Sequence, residues 1–327
     1  MRRSLLILGA LALLCAAARP ASAGGVGTNL AAFLEVDGGV RQIGMGGAFT
    51  GLSDDAMCVF YNPAGLRFLD GSEVHLSASE WVADLSYQHM AYGFRYGTLP
   101  GYFGISWTIM QMPPFREKTE YYDPSSEFSV GTLQNVDAGD MAWGGSYCWA
   151  FTEHFSVGAT VRWYHLSMAD AFAEGICGDV GFLYDTPFRN LRVGASINNV
   201  GPSNRWAGVG SDTGFGEDFS MPTTYRAGAS MRVFDVVTHR VVISGDYKRT
   251  AFGANRASVG TEYTFNKGNL FVYGRAGYRM GYDEEGLTLG GGVRFPSSSE
   301  ADVRVDYAYV DMGNLDHVQR VSLALFF

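Results

Sequence analysis

The chain has 327 residues, with 33 acidic and 24 basic side chains, and its net charge of −9 argues against a nucleic-acid partner. Glycine supplies 43 residues, roughly twice the usual ~7% share, aromatics make up 14%, and charged residues only 17% against a typical ~25%. That balance suits alternating strands better than a helix-rich soluble domain.

The first 23 residues, MRRSLLILGALALLCAAARPASA, carry Arg2 and Arg3, an apolar stretch from Leu5 to Ala18, and Ala21 and Ala23 in an A-x-A arrangement. This pattern predicts a secretory signal peptide cleaved after Ala23. Beyond it, no stretch approaches the roughly 18 consecutive apolar residues of a spanning helix, so a membrane would be crossed by strands.

Residues 24–70 break the alternation of the remaining chain. Gly44, Gly46 and Gly47 in IGMGGAF permit close backbone approach and positive φ. In SDDAMCVFYNPAGL, residues 53–66, Ser53 or Asp54 is a suitable N-cap, and Asp54 and Asp55 favour a helix N-terminus. The stretch predicts a two-turn helix over 54–61, stopped by Asn62-Pro63, with Gly65 at a permissive turn position.

From Gly71 onward the chain repeats a segment of about ten residues, apolar at every second position, followed by a turn. Fourteen such segments can be marked: 72–80, 85–97, 101–110, 138–150, 154–166, 176–185, 190–198, 221–234, 239–248, 256–265, 270–280, 286–295, 300–310 and 317–327. An even number of strands of this length predicts an all-β, antiparallel transmembrane barrel of the bacterial outer membrane. Turns after even segments are short, and most connections after odd ones are longer, notably 111–137 and 199–220, which places both termini on the periplasmic side. The inward set includes Arg192, Arg226, Arg232, Glu262, Arg294, Asp302, Arg304 and Arg320, a polar lining able to hold a plug through charge-assisted hydrogen bonds. The final RVSLALFF sets Val321, Leu323, Leu325 and Phe327 on one face and resembles the terminal signal read by the barrel-assembly machinery.

FLEVDGGVRQIGMGGAFTGLSDDAMCVFYNPAGL, residues 33–66, resembles the N-terminal block of the PorV/PorQ outer-membrane proteins, themselves similar to the FadL-type transporters. The resemblance implies that 24–70 is a hatch in the lumen of a 71–327 barrel, with Gly44, Gly46, Gly47, Asp54, Asp55, Asn62, Pro63 and Gly65 at matching positions. It implies a non-enzymatic accessory of type IX-like protein secretion, with secretion components and exported proteins as partners. Met112, Phe115, Tyr121 and Tyr122 of the outer loop 111–137 would form the binding surface. The alternative is a FadL-like channel for long-chain fatty acids or other hydrophobic solutes, leaving through hatch rearrangement or a lateral gap; no break in the wall pattern is evident in the sequence.

Enzymatic chemistry finds little support. His75-Leu-Ser77 would face the lumen, and His165-Leu-Ser167 the outer surface, without an Asn to orient His165. The histidines at 75, 89, 154, 165, 239 and 317 lack metal-ligand spacing, so neither a metal nor a cofactor is expected. The acidic run 283–285 reads as a solvated outer turn. Cys58, Cys148 and Cys177 allow either one bond between the hatch and the wall or three free thiols.

Overall fold

The computed structural model describes residues 29–97, 99–113, 115–121, 130–136, 138–188, 190–208, 211–251, 253–296 and 301–327. Residues 1–28, which include the predicted signal peptide, lie outside these ranges. No helix among the described residues is long and apolar enough to cross a membrane.

Period-two alternation produces strands throughout the chain after residue 72. These are β1 (Glu73–Glu80), β2 (Ser86–Phe94), β3 (Tyr102–Gln111), β4 (Phe115–Tyr121), β5 (Val130–Val136), β6 (Ala138–Ala150), β7 (Phe155–Met168), β8 (Ala171–Asp185) and β9 (Arg192–Val200). They continue with β10 (Asn204–Gly208), β11 (Ser211–Phe219), β12 (Thr224–Val236), β13 (His239–Thr250), β14 (Asn255–Lys267), β15 (Leu270–Met280), β16 (Leu287–Pro296), β17 (Asp302–Asp311) and β18 (His317–Phe326).

The wall is a closed antiparallel barrel of 14 strands; β4–β5 and β10–β11 are hairpins within the two long connections. Closure comes from β1 on β18, in a register that sets Glu73 opposite Phe326 and Glu80 opposite Gln319. Along each wall strand buried and exposed residues alternate, as in β7, where Ser156, Thr160, Arg162, Tyr164 and Leu166 are buried. The outward set, including Trp143, Trp149, Val161, Trp163, Val259, Tyr278 and Leu289, is apolar and exposed, as a lipid-facing band requires. Val321, Leu323, Leu325 and Phe327 alternate with the buried Arg320 and Ala324 on β18, on that outward side.

Connections at one end are short throughout, and Phe327 lies there, its carbonyl accepting from the Ser72 amide. At the opposite end only the connections holding the two hairpins are long; β7 and β8 are joined through Ala169 and Asp170 alone. Asn29 bridges Ser220 at this long-loop end. The described chain therefore starts at the rim opposite its carboxy terminus, which does not match an arrangement with both termini at the short-turn end.

Candidate functional site

Residues 29–70 lie inside the barrel. They form a helix at Val40–Gly44 and 3-10 turns at Ala32–Glu35, Ala56–Phe60 and Pro63–Phe68, and Phe49, Met57, Tyr61 and Leu66 are wholly buried. The expected two-turn helix over 54–61 is instead the 3-10 turn at 56–60. Its cap is Asp55, whose carboxylate accepts from the Met57 amide, rather than Ser53 or Asp54. Asp54 is drawn away by an ion pair to Arg41 at 2.7 Å, and Ser53 takes φ +35°. Asn62 and Pro63 do more than stop a helix. They start the next one, with the Asn62 side chain accepting from the Ala64 amide and Pro63 at the first position. Gly65 sits within that turn, not at a positive-φ position, and is small because a Cβ there would lie 2.1 Å from the Ser53 carbonyl. Gly46 and Gly47 do take positive φ, at 71° and 80°, and the Gly44 Cα lies against the wall at Gly290.

Two ionic knots tie this segment to the wall. In the first, the Arg41 guanidinium donates to both Glu262 oxygens at 2.8 Å, to Asp54 at 2.7 Å and to Asp55 at 3.0 Å. Arg275 donates to Glu262 at 2.6 Å and Asp306 at 2.7 Å, and Arg304 links Asp306 to Asp55. The second knot centres on Asp37, which accepts from Arg226 at 2.6 Å and Lys248 at 3.0 Å, with Arg279 at 3.9 Å; Arg320 donates to the Asp37 carbonyl at 2.8 Å. Asp246 holds the intervening loop by accepting from the Phe49 and Thr50 amides. Burial pushes the Asp37 carboxyl up, but Lys248, Arg226 and Arg279 outweigh it and hold it well below the carboxylate range. At Asp55 burial also acts upward, and His75, Arg41 and Arg304 bring the net shift below the ordinary value.

Of the lumen-facing residues expected from parity, Arg192, Arg226, Glu262, Arg304 and Arg320 reach the lumenal segment, Arg192 through the Leu52 carbonyl. Arg232 and the Arg294–Asp302 pair do not. Arg232 faces Asp235 at 3.6 Å and Arg294 bonds Asp302 at 2.9 Å, all half exposed at the short-turn mouth. There a polar cavity of about 390 Å³ opens among Phe68, Arg192, His239, Phe271, Arg294 and Phe326. Sequence reasoning missed Asp37, Arg41, Lys248, Arg275 and Arg279. The wall members among them occupy the same inward parity as the residues found, so the signal was present; Asp37 and Arg41 lie where no period applies. Glu285, expected in a solvated turn, turns inward to pair with the buried Arg279.

The outer part of the lumen has a different chemistry. Inward-facing Tyr87, Ala142, Tyr164, Leu166, Ala173 and Cys177 form an apolar compartment filled by Leu30, Ala31 and Phe33 of the lumenal segment, with Leu34, Met110 and Trp206 packed against it. Beside it the wall changes. β9 pairs only with Gly178–Asp185 of β8, through a register shift between Gly178 and Val180, and nearer the rim Ala171 and Phe172 pair with β10 instead. Between these ladders the Glu174 carbonyl accepts from the Asn204 side chain at 2.6 Å. The shift is pinned by Asp179, which accepts from Arg162 at 2.7 Å and from the Asn199 amide at 2.8 Å. The alternation of β9 fails at the same place, where Asn198 and Asn199 are both buried and Asn199 takes φ +59°, a conformation that Asn tolerates better than most residues.

Met112 is half-buried at the base of the long connection, and Phe115 and Tyr121 lie on the β4–β5 hairpin, of whose side chains nothing is described; Tyr122 lies outside the described residues. His75 faces the lumen and bonds Glu73 at 3.1 Å, whereas His165 stacks between Trp163 and Phe172 on the outer surface. Cys58, Cys148 and Cys177 are free and buried. No group of three or more metal-ligating side chains is assembled among the described residues.

The fold and its filled lumen define a class: outer-membrane-type barrels of 14 strands with an N-terminal segment inside. No family model matches the chain, and no curated protein sequence does. Among solved structures the chain is similar to the Ralstonia pickettii toluene transporter TbuX, with 16% identity, TM-score 0.55, and 88% of this chain and 97% of that one covered. It is also similar to the Pseudomonas putida toluene transporter TodX, at 12% identity, TM-score 0.57 and coverage of 89% and 97%. A Pseudomonas aeruginosa FadL homologue gives 12% identity, TM-score 0.55 and coverage of 88% and 97%. These likenesses establish a common fold.

Proposed function

We propose that this protein is a non-enzymatic outer-membrane channel that admits small hydrophobic solutes, with residues 29–70 as its hatch. The observation that carries the reading is the apolar compartment at the long-loop end of the lumen, set directly beside the wall's unpaired stretch between β8 and β9. A solute leaving water gains roughly 25 cal/mol per Å² of apolar surface buried in such a compartment, whereas the ionic knots beneath it offer nothing to an apolar molecule. The solute would displace Leu30 and Phe33, then pass either sideways at the β8–β9 break or downward once the hatch shifts. The transport of toluene by two proteins of the same fold supports this reading over protein delivery.

The second reading, an accessory of protein secretion, rests on the likeness of residues 33–66 to the PorV/PorQ block. One pair of measurements separates them: uptake of labelled toluene and dodecan-1-ol by cells with an intact outer membrane, and native mass spectrometry of the protein extracted from that membrane. Uptake above vector-only cells is the expected result. Uptake at the vector-only level, together with a co-purifying exported protein, would overturn the channel reading in favour of secretion.

A further inference from the structure

Between the lumenal segment and five wall strands lies a closed cavity of about 20 Å³. Leu34, Val36 and Phe60 cover it from the lumenal segment, while β2, β3, β7, β9 and β12 contribute His89, Thr108, Arg162, Asn198 and Arg226. A volume of this size holds one water or one monatomic ion. No carboxylate is among the lining side chains, and both guanidinium side chains are more than nine-tenths buried. Arg162 places Nη1 and Nη2 on Asp179, Asn199 and the Val59 carbonyl, and Arg226 gives Nη2 to Asp37, which also accepts from Lys248. The Nε of each arginine is buried without a hydrogen-bond partner, a costly condition for a charged donor. Acceptors in the lining are already in use: the Asn198 side-chain oxygen accepts from Ser196, and that of Asn199 from Arg162. A water here would find donors for its lone pairs and little to take its own protons. An ion that only accepts meets donors and positive charge together.

Independently of the channel reading, we propose that this cavity is a structural site for one monatomic anion of the halide class, with chloride as its ordinary occupant. Arg162 Nε, Arg226 Nε and the Thr108 hydroxyl are its donors, and Leu34, Val36 and Phe60 shield it. The ion fastens two stretches of the lumenal segment, 33–36 and 60, to the wall at a place where no carboxylate reaches. It also offsets the positive charge left where Arg226 and Lys248 share the single carboxylate of Asp37.

The test uses the full mature chain in detergent, with two readouts. Crystals grown in sodium bromide should show an anomalous peak in the cavity, within contact of Arg162 and Arg226. In solution, the protein should melt about 3 °C higher in sodium chloride than in sodium gluconate of equal ionic strength, and the gain should saturate as chloride rises. Thr108→Val keeps the shape of the side chain and removes one donor, so it should abolish most of that difference; heat-modifiability on gels verifies that the variant barrel is folded. An empty map with equal melting in both salts means that the cavity holds water, and the inference fails. A bromide peak with equal melting marks an adventitious ion only, which overturns the structural role. A chloride effect that Thr108→Val leaves intact places the stabilising ion elsewhere and overturns the assignment of this cavity. None of these results bears on solute uptake, so the channel reading stands or falls separately.

Discussion

Gly158 lies on the lumen face of β7, where a Cβ would come 2.3 Å from the Pro63 carbonyl carbon and 2.4 Å from the Ala64 amide. Both neighbours are backbone and neither can swing aside. Gly158→Ala should therefore cost about 1–3 kcal/mol of stability, as overpacking does. A Cβ on Gly145 of β6 would meet nothing within 4 Å, so Gly145→Ala should leave stability unchanged. Thermal unfolding of both variants decides it; equal melting points would mean that the lumenal segment does not press on the wall at Pro63. Glycine content was legible in the sequence, but which glycines face a second backbone was not, because the contact joins positions far apart in the chain.

At the scale of the element, the lumenal segment is held by few but heavily connected charges. Arg41→Gln leaves Glu262, Asp54 and Asp55 without their shared partner, and breaking buried pairs from one side costs about 3–5 kcal/mol. The segment should then undock while the barrel persists, read as a rise in planar-bilayer conductance with unchanged gel heat-modifiability. The same anchoring sets a pH dependence. Asp37 and Asp55 are both held below their unfolded values, so their contribution is complete above about pH 4 and is lost as pH falls through the lowered values. Protonation of these two carboxylates should thus raise conductance only in acid below about pH 4. A rise between pH 7 and 5 would show that other groups govern closure. The motif in residues 53–66 announced a stiff unit, and its capping residues are real; the identity of the cap shifted because Arg41 claims Asp54.

For the whole molecule, the wall closes through β1 and β18 without help from residues 29–70, as every wall strand has two strand neighbours for much of its length. Deleting residues 29–70 should leave a folded barrel with a water-filled lumen lined by unpaired charges, and a large, steady conductance in planar bilayers. Failure to assemble would show that the segment is a folding template instead. The alternation, strand number and terminal aromatic strand were all readable from sequence because side-chain direction in a strand depends only on local parity, a period of two. The polar lining followed from the same parity. What could not be read was the pairing of charges, since Arg41 meets Glu262 across 221 positions, or the break between β8 and β9, which depends on the register in which the two strands pair. The sequence by itself determined a barrel with a greasy outside and a charged inside; only the tertiary structure decided which carboxylate each guanidinium holds and where apolar space remains, because those depend on distances that closure of the barrel imposes.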